Sequence, residues 1–440
     1  MADLARREFW ITNLLAKKFD RERLERLVDG LAVALAVSLP WSTSATGILA
    51  VLWLIALIPT LDVAALRRVL ATPAGGLPAL LWLLGLVGML WAFDVPMAER
   101  WDGVKSYHKL LFIPLLIVHF RRSERAAWVM NGFLISCGIL LVLSWTTFFV
   151  PSMPWHWSGR SGPGIPVKDY IAQSAEFTVC VFLLAGIALK AWQQQRHWLA
   201  IALSLLALGF LANMLAVVSS RTALVVIPVL LLLFVFKQFR WKAAIGFLVA
   251  AAIMGAFAWS FSSIMRDNIV EVANEVREFQ PSGESTRAGE RLEFWRKSIG
   301  FIADAPLIGH GTGAIRDQFR RSVAGQSGMA AMASANPHNQ TLAVAVQLGL
   351  IGTTVLFAMW LAHLMAFRGG GFVAWAGLVI VTQNIVGSLF NSHLFDFTQG
   401  WGYVIGVGVA AGAALKSAAT PLSVQGAGIA LKGNYASGTS

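Results

Sequence analysis

A short polar motif, Asn336-Pro337-His338-Asn339, stands directly before a long hydrophobic run and carries the side chain best suited to acid–base chemistry. Asn is a favoured N-cap and Pro fits the first helical position, so the motif predicts a helix that starts near His338. A helix N-terminus and limited solvent access both disfavour the protonated imidazole. We therefore interpret His338 as a base that accepts a proton from a hydroxyl group. A structural histidine is the alternative.

Two arginines upstream of this motif are spaced for anion binding. Arg287 and Arg291 lie four residues apart in a segment with helical periodicity, about residues 287–304, so both project from one face of the helix. Each guanidinium offers a pair of donors that matches a phosphate or pyrophosphate. Trp295 continues the same face and is expected to stack on Arg291. Pairing of the two arginines with nearby glutamates is the alternative.

Three further polar segments carry candidate groups. Ser219-Ser220-Arg221-Thr222 lies between two hydrophobic runs, where Arg221 either faces a phosphate or extends to the membrane surface. The glycines of Gly309-His310-Gly311-Thr312-Gly313 bring backbone N–H groups close to an anion or, as we favour, form a structural turn. The segment 390–396 adds a second histidine and a carboxylate, but its spacing matches no metal-binding pattern.

The elements that position these residues are membrane helices. The 440 residues are 57% hydrophobic and only 13% charged, with a mean hydropathy of +0.65. A soluble protein carries about 25% charged residues. Repeated apolar runs predict an all-α polytopic membrane protein. About twelve spans are expected, at 30–42, 46–60, 77–92, 107–120, 126–150, 173–190, 198–218, 222–236, 242–261, 341–367, 373–390 and 399–415.

One large interruption organises the chain. Residues 1–29 predict a basic amphipathic segment on the inner membrane surface, and 30–261 contain the first nine spans. Residues 262–340 form a polar, partly helical loop before the tenth span, with a first helix over about 264–280 and the second over 287–304. Residues 341–416 contain the last three spans, and 417–440 form a disordered tail.

The distribution of charge predicts the orientation of the protein in the membrane and argues against nucleic acid as a partner. A cytoplasmic N-terminus makes every inner connection basic, as the positive-inside rule requires, and places the long loop outside, with both termini inside. The net charge of +12 lies mostly in short connections, with no separate basic domain, so we expect membrane lipids as partners and no nucleic acid. The nine Lys and Arg residues of 262–340 indicate an anionic partner outside, or simple solvation with the acidic residues of the loop.

The motifs together resemble a known family. Ser220-Arg221-Thr222, the run from Arg291 to Trp295 with the following 306–313 turn, and Pro337-His338-Asn339 after one dominant loop are similar to the O-antigen ligase family. That family also contains O-antigen polymerases and protein O-oligosaccharyltransferases. The resemblance covers nearly the whole chain, and its Pro-His-Asn element is the more specific part.

The resemblance implies an inverting glycosyltransferase of GT-C type in the bacterial inner membrane, with its active site on the periplasmic face. The donor would be a glycan on undecaprenyl pyrophosphate and the acceptor lipid A–core oligosaccharide, with no metal or other cofactor. His338 would be the base, and Arg221 and Arg291 would contact the pyrophosphate; Arg287 joins them from its spacing alone. Asn339 and Trp295 are expected to support the site.

Other functions fit part of the pattern. A transporter for an anionic lipid-linked substrate would also have twelve spans, but few charges lie within the predicted spans. An O-antigen polymerase would use a second lipid-linked glycan as acceptor, and an oligosaccharyltransferase would use a protein. A purely structural scaffold does not account for His338 beside an arginine cluster.

Overall fold

The computed structural model of the protein describes residues 21–152, 162–217, 220–261, 263–281 and 283–419. These residues form helices and turns with no β-strand among them. In chain order the α-helices are α1 (21–38), α2 (Thr43–Leu57), α3 (Val63–Leu70), α4 (Pro73–Val87), α5 (Met97–His108), α6 (Phe112–Phe120), α7 (Ala126–Phe149), α8 (Tyr170–Gln193), α9 (His197–Ala216), α10 (Arg221–Gln238), α11 (Trp241–Phe261), α12 (Ser263–Arg277), α13 (Arg287–Asp304), α14 (Ala314–Ser322), α15 (Gln340–Ala366), α16 (Phe372–Gly387) and α17 (Phe397–Ala419).

Within the described ranges, seven helices are long and apolar enough to cross a membrane, which confirms the predicted all-helical, multi-pass class. They are Thr43–Thr60, Pro73–Leu90, Ala126–Phe149, Tyr170–Gln193, His197–Ala216, Arg221–Gln238 and Gln340–Ala366. Shorter apolar helices occupy Trp241–Ile253 and Phe372–Gly387. The total of twelve spans and the GT-C architecture stay predictions.

The predicted span at 107–120 is wrong as a single helix. α5 ends at His108, the turn Lys109–Leu111 is a 3-10 helix, and α6 begins at Phe112. Pro114 has no N–H to donate to the carbonyl group four residues earlier, which favours a tighter turn at this point. Lys109 in that turn is buried, and its ammonium group bonds to the carbonyl oxygens of Phe395 and Asp396 at 2.9 and 2.7 Å.

The ends of the chain differ from the predicted boundaries. α1 runs without interruption through residue 29, where the basic segment was expected to end. Asp29 is buried and accepts hydrogen bonds from His119 and Arg125, which ties α1 to α6 and α7. α17 continues to Ala419, past the predicted end of the last span. The amphipathic segment before residue 21 and the tail after 419 lie outside the described residues.

Small residues let the helices approach closely in the bundle. α17 packs against α6 through Gly408 and Gly412. A Cβ at either position would lie 2.5 to 2.8 Å from Leu116 or Phe120. Close backbone contact of this kind drives helix association in membranes, where apolar burial alone cannot.

The long helix α15 is broken at Gly349, which has φ +60° and ψ −154°. A segment we call the glycine turn, residues 305–313, fills the break. Its backbone N–H groups donate to the carbonyls of Val346 and Gln347, and its carbonyls accept from the N–H groups of Leu350 and Ile351. The turn therefore satisfies backbone groups that the break would leave unpaired.

The loop predicted between α11 and α15 has the expected helices. α13 begins and ends at the predicted residues, with Thr286 as its N-cap. α12 covers most of the predicted segment 264–280 but ends at Arg277. We call the end of the bundle that carries residues 263–281 and 283–339 the loop face.

Candidate functional site

His338 lies at the loop face, just before α15 and outside it. The predicted helix start near His338 is wrong, because α15 begins at Gln340 with Asn339 as its N-cap. The side-chain oxygen of Asn336 accepts the His338 N–H at 2.8 Å, so Asn336 forms a turn instead of capping the helix. His338 has φ +53°, a left-handed conformation that is uncommon for a residue with a side chain.

Asn339 has a structural role in this arrangement. Its side-chain oxygen accepts the Leu342 N–H at 3.1 Å, which caps α15. Its amide nitrogen donates to the carbonyl of Leu389 at 3.0 Å and so joins the start of α15 to the end of α16. Asn339 therefore holds the backbone next to His338.

The imidazole of His338 is held on two sides. Its Nδ1 is 2.9 Å from the side-chain oxygen of Asn391, and its ring stacks on Phe294 of α13 with centroids 6.1 Å apart. Burial lowers the pKa of His338 and the charge of Arg291 lowers it further, while the Asn391 hydrogen bond opposes them. The neutral form that a base requires is thus favoured.

Asn391 connects His338 to a carboxylate. The Asn391 amide nitrogen donates to Asp396 Oδ2 at 2.8 Å. Burial raises the pKa of Asp396 to about 7, against a lowering effect of the Lys109 ammonium and a raising effect of Asp169. Sequence reasoning noted the 390–396 segment but assigned it no role. Its position between the last two hydrophobic runs was the available signal.

Arg291 lies mostly buried in α13, near the other candidate residues. Its charge lowers the pKa of both His338 and His393, and its own pKa is lowered by burial and by the charge of Arg221. Among the described residues, neither Arg291 nor Arg287 takes part in an ion pair. The structure thus brings Arg291 close to His338 and Arg221, and the alternative of glutamate pairing is not observed.

Trp295 does not make the predicted contact. The cation–π pairs within the described ranges belong to other residues, and its indole nitrogen is buried with no hydrogen-bond partner there. Trp295 lies four residues after Arg291, so the shared helix face was predicted correctly but the stacking was not.

Arg221 begins α10, and its two terminal nitrogens are engaged by carboxylates of α12. Its two terminal nitrogens lie 3.2 Å from the two oxygens of Glu275, and Nη2 is 2.8 Å from Glu271. Its neighbour Ser220 caps α10 through the N–H of Ala223 at 3.1 Å, whereas Ser219 lies outside the described residues. The residue expected to bind an anion therefore already binds two.

The glycine turn does not offer an anion site. The N–H groups of His310, Gly311 and Thr312 donate to backbone carbonyls, and that of Gly313 donates to the Gln347 side chain. The His310 side chain donates to the carbonyl of Phe301 at 2.7 Å. The structural alternative for this turn is therefore correct.

Two cavities adjoin the site. One, of about 890 Å³, lies beside α12 and is lined by five carboxylates and a single arginine, Arg266. The basic residues of the loop thus do not gather there. The other, of about 180 Å³, is an apolar groove between α1, α7, α8, α16 and α17. Its few polar residues, Glu176, Gln383 and Thr398 among them, lie in the halves of α8, α16 and α17 nearest the loop face.

Comparison with known proteins identifies the segment that holds most of these residues. Residues 206–358 match the family model described as O-antigen ligase. This segment is similar to the O-antigen ligase family. The matched O-antigen ligase segment includes Arg221, Arg291 and His338, but it ends before Asn391 and Asp396.

One curated relative extends the comparison. The chain is 28% identical over 172 residues to an uncharacterized protein of Haemophilus influenzae (strain ATCC 51907 / DSM 11121 / KW20 / Rd). The match covers 36% of this chain and 43% of the relative, so the chain spans less than half of that protein's length.

Proposed function

We propose that this protein is an inverting glycosyltransferase that moves a glycan from undecaprenyl pyrophosphate to lipid A–core oligosaccharide. The observation that carries the proposal is the proximity of His338 and Arg291. A half-buried imidazole, whose neutral form is favoured, lies close to a half-buried guanidinium that forms no ion pair in the described part of the chain. A base beside an unneutralised cation suits a reaction in which a hydroxyl loses a proton while a phosphate leaves.

The proposed step balances as a single displacement. Nε2 of His338 takes the proton of the acceptor hydroxyl, whose oxygen forms a bond to the anomeric carbon. The bond from that carbon to the pyrophosphate oxygen breaks, and its electron pair stays on the pyrophosphate. Arg291, with Arg287 one turn earlier, neutralises the developing charge. Attack opposite the leaving group inverts the anomeric configuration.

Arg221 enters this scheme through exchange of partners. In the free protein it is held by Glu271 and Glu275, of which Glu271 has a side-chain exposure of 54% and Glu275 of 9%. We propose that the donor pyrophosphate replaces the exposed carboxylate of Glu271. Glu275 then stays as the fixed partner that orients the guanidinium.

The apolar groove supports a lipid-linked donor. Its lining runs from Thr398 at the loop-face end of α17 to Ala413 near the opposite end. Lys168, beside the groove, donates to Thr398 at 3.0 Å, and the neighbouring Asp169 acts on the charge of Asp396. A polyprenyl chain in the groove would therefore have its head group near the His338 site.

Location and metal independence belong to the same proposal. Basic residues at the end opposite the loop face, such as Arg122 and Lys237, favour a cytoplasmic position for that end. The loop face is then periplasmic, in the bacterial inner membrane. The arginines take the part that a metal ion has in other transferases, so EDTA is not expected to inhibit.

The test is a reconstitution with two acceptors. Purified protein and undecaprenyl-pyrophosphate-linked glycan are incubated in detergent with EDTA and no nucleotide, with either lipid A–core or more donor as acceptor. We expect a larger lipopolysaccharide that is absent with His338→Ala and present with His197→Ala, an exposed histidine far from the site. Elongation of the lipid-linked glycan alone would indicate a polymerase, and no product with either acceptor would contradict the proposal.

A further inference from the structure

The segment between α16 and α17 presents an ordered turn to His338. Gln340 accepts the N–H groups of Leu394 and Phe395 at 2.9 and 3.2 Å, and Lys109 donates to the carbonyls of Phe395 and Asp396. Ser392 and the N–H of His338 both donate to the Asn336 side chain, at 2.6 and 2.8 Å. Several independent bonds thus fix the turn relative to the imidazole.

Each hydrogen bond in the chain from His338 through Asn391 to Asp396 has a defined donor and a defined acceptor. At pH 8, above its pKa of about 7, Asp396 is mostly ionised and only accepts hydrogen bonds, so the amide group that faces it at 2.8 Å presents its nitrogen. The oxygen of Asn391 then faces His338 Nδ1 at 2.9 Å. An amide oxygen also only accepts, so Nδ1 must carry the proton. In neutral imidazole, Nε2 is then left with the lone pair.

We propose that Asn391, oriented by Asp396, is the positioning residue that holds His338 in the tautomer with a basic Nε2. The inference rests on the proposed function, because it assigns Nε2 as the atom that takes the proton. Nε2 has no hydrogen-bond partner among the described residues, which leaves it available to an acceptor hydroxyl. Asn391 touches no reacting atom and acts through His338.

The charged groups around His338 and Asp396 determine how a substitution at Asn391 changes the pKa of His338. Arg291 and Glu290 of α13 act on His338, with opposite effects on its pKa. Lys109 and Asp169 act on Asp396, also with opposite effects on its pKa. A carboxylate in place of Asn391 would add a negative charge in direct contact with the imidazole, which raises the pKa of His338.

Nitrogen NMR reads the tautomer without relying on activity. The protein has eight histidines, so ¹⁵N-histidine-labelled protein in detergent is a tractable sample, with the His338 signals assigned by their loss in His338→Gln. We expect a protonated Nδ1 and an unprotonated Nε2 at pH 8. In Asn391→Ala we expect the Nε2–H form to become populated. A wild-type His338 with its proton on Nε2 would overturn the inference.

Kinetics provide the second reading, with undecaprenyl-pyrophosphate-linked glycan as donor. Asn391→Ala should lower kcat by about 10- to 100-fold, as for other partners that orient a functional histidine, with KM for the donor unchanged. Asn391→Asp should move the acid limb of the pH–rate profile upward and recover activity at higher pH. Asn274→Ala, an exposed amide on α12, is the matched control and should match wild type.

The outcomes separate this inference from the proposed function. Unchanged kcat and pH profile in both Asn391 variants, beside an inactive His338→Ala, would overturn the role of Asn391 alone. A change in KM with constant kcat would do the same, because it indicates donor binding. Full activity of His338→Ala would instead remove the proposed function. If Asn391→Ala does not fold, the pH–rate profile of Asn391→Asp tests the inference instead.

Discussion

Arg221 and Glu275 form a two-point ion pair in which each terminal guanidinium nitrogen lies 3.2 Å from a carboxylate oxygen. The same carboxylate accepts the N–H of Ala288 in the first turn of α13. Glu275 therefore links the start of α10 to the start of the helix that carries Arg287 and Arg291. One glutamate from α12 thus contacts both of the helices that carry the three arginines.

Removal of that carboxylate should loosen the site. Glu275→Ala deletes charge-assisted hydrogen bonds of about 1.5–3 kcal/mol each, and it leaves the first turn of α13 unanchored. We expect kcat to fall at least about tenfold, a factor that corresponds to about 1.4 kcal/mol, with a lower midpoint of thermal unfolding. Glu278→Ala, an exposed carboxylate on the same stretch of chain, should change neither quantity. Equal behaviour of the two variants would show that Glu275 does not organise the arginines.

Replacement of Arg291 by lysine tests whether the paired donors of its guanidinium group are required. Lysine keeps the positive charge but has no planar pair of donors for a pyrophosphate. We expect Arg291→Lys to lower kcat/KM about 10- to 100-fold, as loss of one or two charge-assisted hydrogen bonds would. The control is Arg277→Lys, at an exposed position on α12. Turnover near wild type in Arg291→Lys would show that the two-donor geometry of the guanidinium is not needed.

The pH dependence follows from the environment of His338. Burial and then the charge of Arg291 lower its pKa below the usual 6.5, so the imidazole is neutral at pH 7 and loses its lone pair only as the pH falls further. The single-turnover rate should therefore fall to zero on the acid side, with a midpoint below 6.5. Arg291→Gln removes a lowering charge and should move this midpoint upward, whereas Arg291→Lys should leave it in place. A downward shift in Arg291→Gln would contradict the proximity of the two side chains.

The break in α15 should not tolerate a side chain. Gly349 has φ +60°, and a Cβ there would lie 2.4 Å from the backbone of Leu307. We expect Gly349→Ala to destabilise the protein by about 1–3 kcal/mol, the cost of strained backbone, and to displace the glycine turn. Gly300→Ala in α13, where a Cβ meets nothing within 4 Å, is the matched control and should be neutral or slightly stabilising. The measurement is the midpoint of thermal unfolding in detergent.

Local signals in the sequence predicted much of the loop. The helical periodicity that begins at Arg287 placed the start of α13 correctly, and Thr286 caps it by a short-range interaction. The same reasoning failed at Asn336, whose side chain bonds to His338 N–H and to Ser392. Ser392 lies 56 residues away along the chain, and its contribution depends on the tertiary fold.

Contacts between distant elements account for the rest of the differences. Spacing could place Arg287 and Arg291 on one face, but it could not show that two carboxylates of α12 would engage Arg221. The link from His338 through Asn391 to Asp396 joins the start of α15 to a turn that follows α16. Charge and amide groups in such a turn have no periodicity that predicts their partners.

The central claim is that His338 supplies the base for glycan transfer. The most direct measurement is the single-turnover rate of transfer to lipid A–core at saturating donor, in reconstituted wild-type protein and in His338→Ala, with donor affinity measured in parallel. A general base contributes about 10²- to 10⁴-fold, so we predict a loss of that size with donor affinity and folding unchanged. Transfer by His338→Ala at the wild-type rate would contradict the account.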